Sequence, residues 1–163
     1  MVKDLELSEC LKILGNHFIG RLSYIHGKSP YLVPVTYFHD NEENSIIRYS
    51  AQGHKLHAMR KRESVAFQVD NIESIQEWHS VQEHGWFEEL NGSTAKKYLR
   101  RFAKGVQKTI TSSKSAHPKF IQNFSNRLQN KNIPVVYRIH IADIMSKVRN
   151  DQKRFRSQEA SGQ

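Results

Sequence analysis

Apolar positions recur with two different periods along this chain. Leu7, Leu11 and Leu14 fall at helical spacing, so Ser8 to Leu14 reads as a short helix that Gly15 can close as its C′ residue. From Phe18 to Ile25 the period drops to two. Phe18, Gly20, Leu22 and Tyr24 then share one face of a strand, and Gly20 admits a close neighbour there. After the turn cluster His26-Gly27-Lys28-Ser29-Pro30, a second strand runs from Tyr31 to His39 with Pro34 inside it, which implies a bulge or an edge position. A polar turn at Asp40–Asn44 leads to a third strand, Ser45 to Ser50, and the three predict an antiparallel meander.

Beyond Ala51-Gln52-Gly53 the period lengthens again, and His54 to Arg62 predicts a helix with Leu56 and Met59 on its apolar side. Val65, Phe67 and Val69 alternate strictly within a strand from Ser64 to Asp70. Trp78 to Leu90 reads as one long strand, or as two bent around Gly85. Ser93 or Thr94 can cap a helix with an apolar stripe of Ala95, Leu99, Phe102 and Val106 and a basic face of Lys96, Lys97, Arg100, Arg101 and Lys104. Gln107 to Pro118 reads as loop. Phe120, Ile121, Phe124 and Leu128 predict another amphipathic helix, and Val135 to Ile141 a last strand. Residues 1–150 form a single expected domain, with 91–133 as its basic helical segment and 151–163 as a disordered tail. The fold class is mainly β with helices: six or so mostly antiparallel strands, whose closure into a barrel would remove exposed edges.

Charge changes this picture. The formal net charge of +9 is unevenly spread: residues 1–90 hold 9 Lys/Arg against 13 Asp/Glu, whereas residues 91–142 hold 11 basic and no acidic residues. The basicity therefore belongs to one segment and not to the barrel. Cys10 is the only cysteine, which excludes an intrachain disulfide and fits a small buried apolar residue. No stretch reaches the roughly 18 apolar residues of a membrane helix, and Met1–Glu6 lacks a signal-peptide apolar region, so the expectation is a cytoplasmic protein with no membrane association. His54 and His57, or His79 and His84, lack a third ligand at metal-binding spacing, and no metal site is expected. Trp78 and Trp86 are expected in the core or at a subunit interface.

One stretch carries candidate chemistry. At Tyr49-Ser50-Ala51-Gln52-Gly53-His54-Lys55 a strand ends in small polar residues, passes a glycine and enters a helix bearing cations. Free backbone N–H groups at the helix start, the Ser50 hydroxyl and the Lys55 ammonium suit a phosphate. Gly53 would allow a phosphate close to the backbone. The same joint is also an ordinary helix start. His54 is either a further donor or a surface histidine.

Gly20-Arg21-Leu22, Pro30 to Tyr37, Tyr49 to Lys55, Met59-Arg60, Val65 to Asp70 and Ser80-Val81, in that order, resemble the FMN-binding split β-barrels related to pyridoxamine 5′-phosphate oxidase. Within that group the resemblance is nearest to the nitroimidazole-resistance type. It covers about Leu11 to Leu90, and Val136-Tyr137-Arg138-Ile139 looks like the family's closing strand. The resemblance implies a homodimer with FMN at the subunit interface. Pro34, Val35 and Thr36 would pass the isoalloxazine, Tyr49, Ser50, Ala51, His54 and Lys55 would hold ribityl and phosphate, and Ser80 and Val81 would reach the flavin from the neighbouring strand.

The resemblance further implies an FMN-dependent oxidoreductase that reduces a small molecule with a nicotinamide donor. No catalytic side chain is assigned, since the flavin itself carries hydride. Many nitroimidazole-resistance-type members have histidine where this chain has Tyr49, so proton-shuttle chemistry does not carry over there. The arginine- and tryptophan-rich C-terminal motif of true pyridoxamine-phosphate oxidases is not visible, so that activity is not expected. Two alternatives stand beside this reading: a non-catalytic flavin- or haem-binding protein, and nucleic-acid binding through residues 91–142. The second is the less expected, because a basic helical stripe is more often a solvated face.

Overall fold

A computed structural model describes residues 1–112 and 134–151. The expected helix at Phe120–Leu128 and the expected tail beyond Asp151 lie outside the described residues. Eight strands form one sheet: β1 (Val2–Lys3), β2 (Ile19–His26), β3 (Ser29–Thr36), β4 (Phe38–Asp40), β5 (Ser45–Ser50), β6 (Ser64–Ser74), β7 (Glu77–Leu90) and β8 (Val135–Asn150). Three helices accompany them: α1 (Leu7–Asn16), α2 (His54–Lys61) and α3 (Gly92–Ser112). The order across the sheet is β3-β2-β6-β7-β8-β5-β4, with β1 added to β8, and the pairings are antiparallel.

The two end strands, β3 and β4, are consecutive in the chain and separated only by Tyr37. One continuous segment therefore supplies both edges, and the sheet curls into a split β-barrel. The expected single strand from Tyr31 to His39 is broken at this point. Its second half leaves β2 and pairs with β5, while the Tyr37 N–H donates back to the Phe18 carbonyl at 2.9 Å. Pro34 is tolerated because β3 is an edge strand.

Strand alternation sends Leu22, Phe67, Val69 and Val81 inward, where they meet Leu14 of α1, Leu56 and Met59 of α2, and Tyr37, Ile46, Tyr137 and Ile139. Cys10 is buried in this core as a free thiol. Gly20 allows the Phe67 ring to lie directly over the β2 backbone, where a Cβ would overlap it. A second core lies under α3, where Tyr98, Phe102, Val106 and Ile110 cover Ile47, Leu90 and Val136.

Several elements run further than periodicity suggests. α1 continues through Gly15 to Asn16, so Gly15 is not a C′ residue. α3 extends through Gln107 to Ser112, where the polar sequence predicts loop, because Ile110 is buried on the same side as Val106. β8 continues nine residues past Ile141, and β7 is a single strand whose pairing with β8 shifts register between His84 and Gly85.

Candidate functional site

The strand-to-helix joint forms as the sequence indicates. β5 ends at Ser50, and α2 begins at His54 with Gly53 as its N-cap and no side-chain cap. The first-turn N–H groups thus have no side-chain acceptor. Gly53 has an extended backbone, and among the described residues nothing beyond the adjoining chain lies within 4 Å of where its Cβ would stand. The fold does not require glycine there, and the space beside it is open.

Two cations meet at this joint. Arg48, in the middle of β5, donates from Nη1 to the Thr36 carbonyl at 3.2 Å and from Nε to the Tyr49 carbonyl at 3.2 Å. Its guanidinium stands over the Tyr137 ring, 5.9 Å from the centroid. Lys55, in the first turn of α2, is half-buried. Burial, with Arg48 nearby, pushes its ammonium down to about 8. Among the described residues neither Arg48 nor Lys55 has a carboxylate partner. Two half-buried cations without a counter-charge lose solvation that the carbonyl bonds of Arg48 repay only in part, and an anion would restore the balance. Arg60 is different: it forks onto Glu89 at 2.7 and 2.9 Å and reaches the Gln52 Oε1 at 2.9 Å, which holds the loop of the joint against the end of β7.

The structure sorts the ten predicted contact residues into groups. The Arg48–Thr36 bond ties the end of β3, with Pro34, Val35 and Thr36, to the end of β5, with Tyr49, Ser50 and, just beyond it, Ala51; Lys55 of α2 lies near Arg48. The Val35 side chain is buried in the core, so it offers only backbone. Tyr49 packs edge-on to Phe102 at 5.3 Å, and the Ser50 hydroxyl donates to the Ala51 carbonyl at 3.0 Å. The His54 ring is turned to β2 and β3, 4.2 Å from His26 and 5.0 Å from Tyr31, with its Nδ1 3.3 Å from the Tyr24 hydroxyl.

Ser80 and Val81 stand apart. β7 does not neighbour β3: two strands, β2 and β6, separate them. At about 4.8 Å per strand the separation is roughly 14 Å. Val81 is fully buried, and Ser80 accepts from Gln68 Nε2 at 3.0 Å. This sheet order places Ser80 and Val81 three strands from Pro34, Val35 and Thr36.

Strand pairing nevertheless puts Pro34, Thr36 and Ser80 on one face, the outer one. Ile19, Leu32, Ile72, Trp86 and Met145 share it. All five are exposed, Leu32 by 64% and Ile72 by 69%. Trp86 stacks on His140 with centroids 4.8 Å apart, and neither tryptophan is in the core. Among the described residues, no group of three His, Cys, Asp or Glu is placed to hold a metal ion.

Sequence reasoning passed over Arg48. Its signal was a charge inside the otherwise apolar run Ile46-Ile47-Arg48-Tyr49. Glu83 was passed over too. It points into the barrel, is 1% exposed and, among the described residues, has no hydrogen-bond partner on either carboxylate oxygen. Burial pushes its carboxyl up to about 8.

A curled antiparallel sheet of this order defines a split-barrel protein, here with two cations, Arg48 and Lys55, at the end of β5. The chain belongs to the family described as Pyridoxamine 5′-phosphate oxidase, whose model matches residues 6–148. It is 30% identical over 89 residues to an uncharacterised protein of Rhizobium meliloti, an alignment that spans 55% of this chain and 58% of that protein. Its fold is similar to a FAD-binding protein from Mesorhizobium loti, with 24% identity, TM-score 0.71, and 93% of this chain and 98% of that one covered. A 5-nitroimidazole antibiotic resistance protein from Bacteroides thetaiotaomicron matches at 12% identity and TM-score 0.65, over 91% and 87% of the two chains. The flavocytochrome Anf3 of Azotobacter vinelandii matches at 15% identity and TM-score 0.63, over 95% and 74%.

Proposed function

We propose that this protein binds FMN, with its phosphate at the Arg48–Lys55 joint, and acts as an FMN-dependent oxidoreductase on a small molecule. The observation that carries the reading is the pair of half-buried cations with no carboxylate partner. Lys55, Arg48, the Ser50 hydroxyl and the first-turn N–H groups of α2 would hold the phosphate, and the backbone of Pro34, Val35 and Thr36 would lie along the ring system. The names of the Mesorhizobium and Azotobacter proteins, one FAD-binding and one a flavocytochrome, favour a flavin over other phosphorylated ligands. When bound, FMN supplies hydride or single-electron transfer, and the protein's part is to position it and exclude water. A nicotinamide donor would supply the reducing equivalents.

A homodimer completes the proposed site. Ser80 lies three strands from Thr36, and both are on the face that carries Ile19, Leu32, Trp86 and Met145. Pairing two such faces would bury the apolar side chains and bring Ser80 of one protomer toward Thr36 of its partner. The test is an absorption spectrum of the purified protein, followed by mass identification of what heat releases. Flavin bands with released FMN support the reading. A Soret band, or reconstituted protein that binds riboflavin as tightly as FMN, overturns it.

A further inference from the structure

The described part of the basic segment is a helix with two unlike sides. Tyr98, Phe102, Val106 and Ile110 are buried against the barrel. Arg101, expected on the basic face, is instead an anchor: it pairs with Asp40 at 2.8 Å and Glu43 at 3.3 Å. Lys97, Arg100, Lys104 and Lys108 remain exposed, at steps of three, four and four residues, with Lys96 on the shoulder. Among the described residues none of the five has an ion pair. Residues 91–142 contain no Asp or Glu, so the chain that follows α3 directly brings further cations and no counter-charge. From Lys97 to Lys108 the row is roughly 16 Å long and straight.

We propose that the outer face of α3 docks on the phosphate backbone of duplex DNA, independently of sequence and of the flavin site. A membrane surface fits less well, because the apolar side of the helix is already used in packing and nothing remains to insert. An acidic protein partner fits less well because such interfaces centre on a buried aromatic or apolar anchor, and none of the exposed large apolar residues lies on α3. A cation row alone suits a ligand that is held by charge along its length, and a duplex presents one charge per about 1.7 Å.

The test is fluorescence anisotropy with a random-sequence 20-base-pair duplex and the full chain, from 25 to 200 mM salt. Each phosphate contact contributes about −0.9 to the slope of log affinity against log salt. The Lys97→Gln/Arg100→Gln/Lys104→Gln/Lys108→Gln protein should therefore show a slope shallower by about 3 to 4, with unchanged thermal melting. A control with the same charge loss elsewhere, Lys12→Gln/Lys28→Gln/Lys61→Gln/Arg62→Gln, should keep the wild-type slope. The proposal fails if wild type does not bind at 25 mM salt, or if the two variants lose slope equally. It also fails if polyaspartate or vesicles containing phosphatidylserine compete as well as duplex at equal charge.

Discussion

Arg48 reaches across from β5 to the carbonyl of Thr36, 3.2 Å away, and so ties the last residue of β3 to the strand that ends in the cationic joint. The segment proposed to lie along the ring system and the residues proposed to hold the phosphate are thereby fixed relative to one another by a single side chain. Replacing Arg48 by Ala should loosen both FMN and riboflavin, and FMN by more, since it removes a charge on the phosphate as well as the tie.

Lys55→Ala should separate the two ligands. Losing one charge-assisted contact to a phosphate costs about 1.5–3 kcal/mol, or roughly a 10- to 150-fold weaker FMN complex. Riboflavin affinity should hardly move, and Lys28→Ala, in the β2–β3 turn, should leave both unchanged. Titration by flavin fluorescence quenching measures all of these. Equal losses of FMN and riboflavin in Lys55→Ala would place the phosphate elsewhere.

The same lysine sets a pH window. Its pKa is held down to about 8 in the free protein, while a phosphate monoester gains its second charge near about pH 6. FMN affinity should peak between these limits and fall as pH rises through 8, because Lys55 then loses the charge that recognises the phosphate. In Lys55→Ala the alkaline fall should disappear.

Glu83 makes stability depend on pH in the direction opposite to a salt-bridged acid. Burial raises its carboxyl from the ordinary 4.5 to about 8, so the folded protein keeps a proton that the unfolded chain has released. The sign follows directly: the stability linked to this proton is fully present below about pH 4.5 and is lost as pH rises through about 8. A tenfold change in proton affinity between folded and unfolded chains corresponds to about 1.4 kcal/mol, so the change amounts to several kcal/mol. Urea denaturation at pH 5 and pH 9 should show wild type losing more stability than Glu83→Gln; parallel curves would mean that Glu83 is solvated.

Much of this was legible in the chain. Val65, Phe67 and Val69 alternate because one face of β6 meets the core, and the small polar residues after Tyr49 mark the joint by composition alone. What stayed hidden depends on contacts between distant residues. β8 runs on to Asn150 because β7 and β1 pair with it, although Asp143, Lys147 and Arg149 give no apolar alternation. Ile110 keeps α3 helical past a polar stretch because it lies beneath the helix, in the second core. The distance from Ser80 to Thr36 is a property of sheet order, which no local pattern encodes.

Phe102 tests the second core. It is 1% exposed beneath α3 and packs on Tyr49. Phe102→Ala should cost about 3–5 kcal/mol, and because Tyr49 adjoins the joint it should weaken FMN binding too. A melting curve unchanged from wild type would mean that α3 is not packed on the barrel.

β8 is among the last parts of the described chain to be synthesised, yet it is the partner of β1, β5 and β7. During translation, a chain that has emerged only as far as α3 has β5 and β7 already made, each with one edge unpaired, and a barrel that cannot close. Pairings such as Val2 with Arg149 span nearly the whole described length, so closure is a late and slow event dominated by distant contacts. Until then the nascent chain exposes Ile46, Ile47 and Phe87 beside open strand edges, the condition in which chains associate wrongly. Fragments that stop before Val135 should therefore aggregate instead of forming a smaller barrel, and the yield of the whole protein should depend on chaperone supply more than its native stability would suggest.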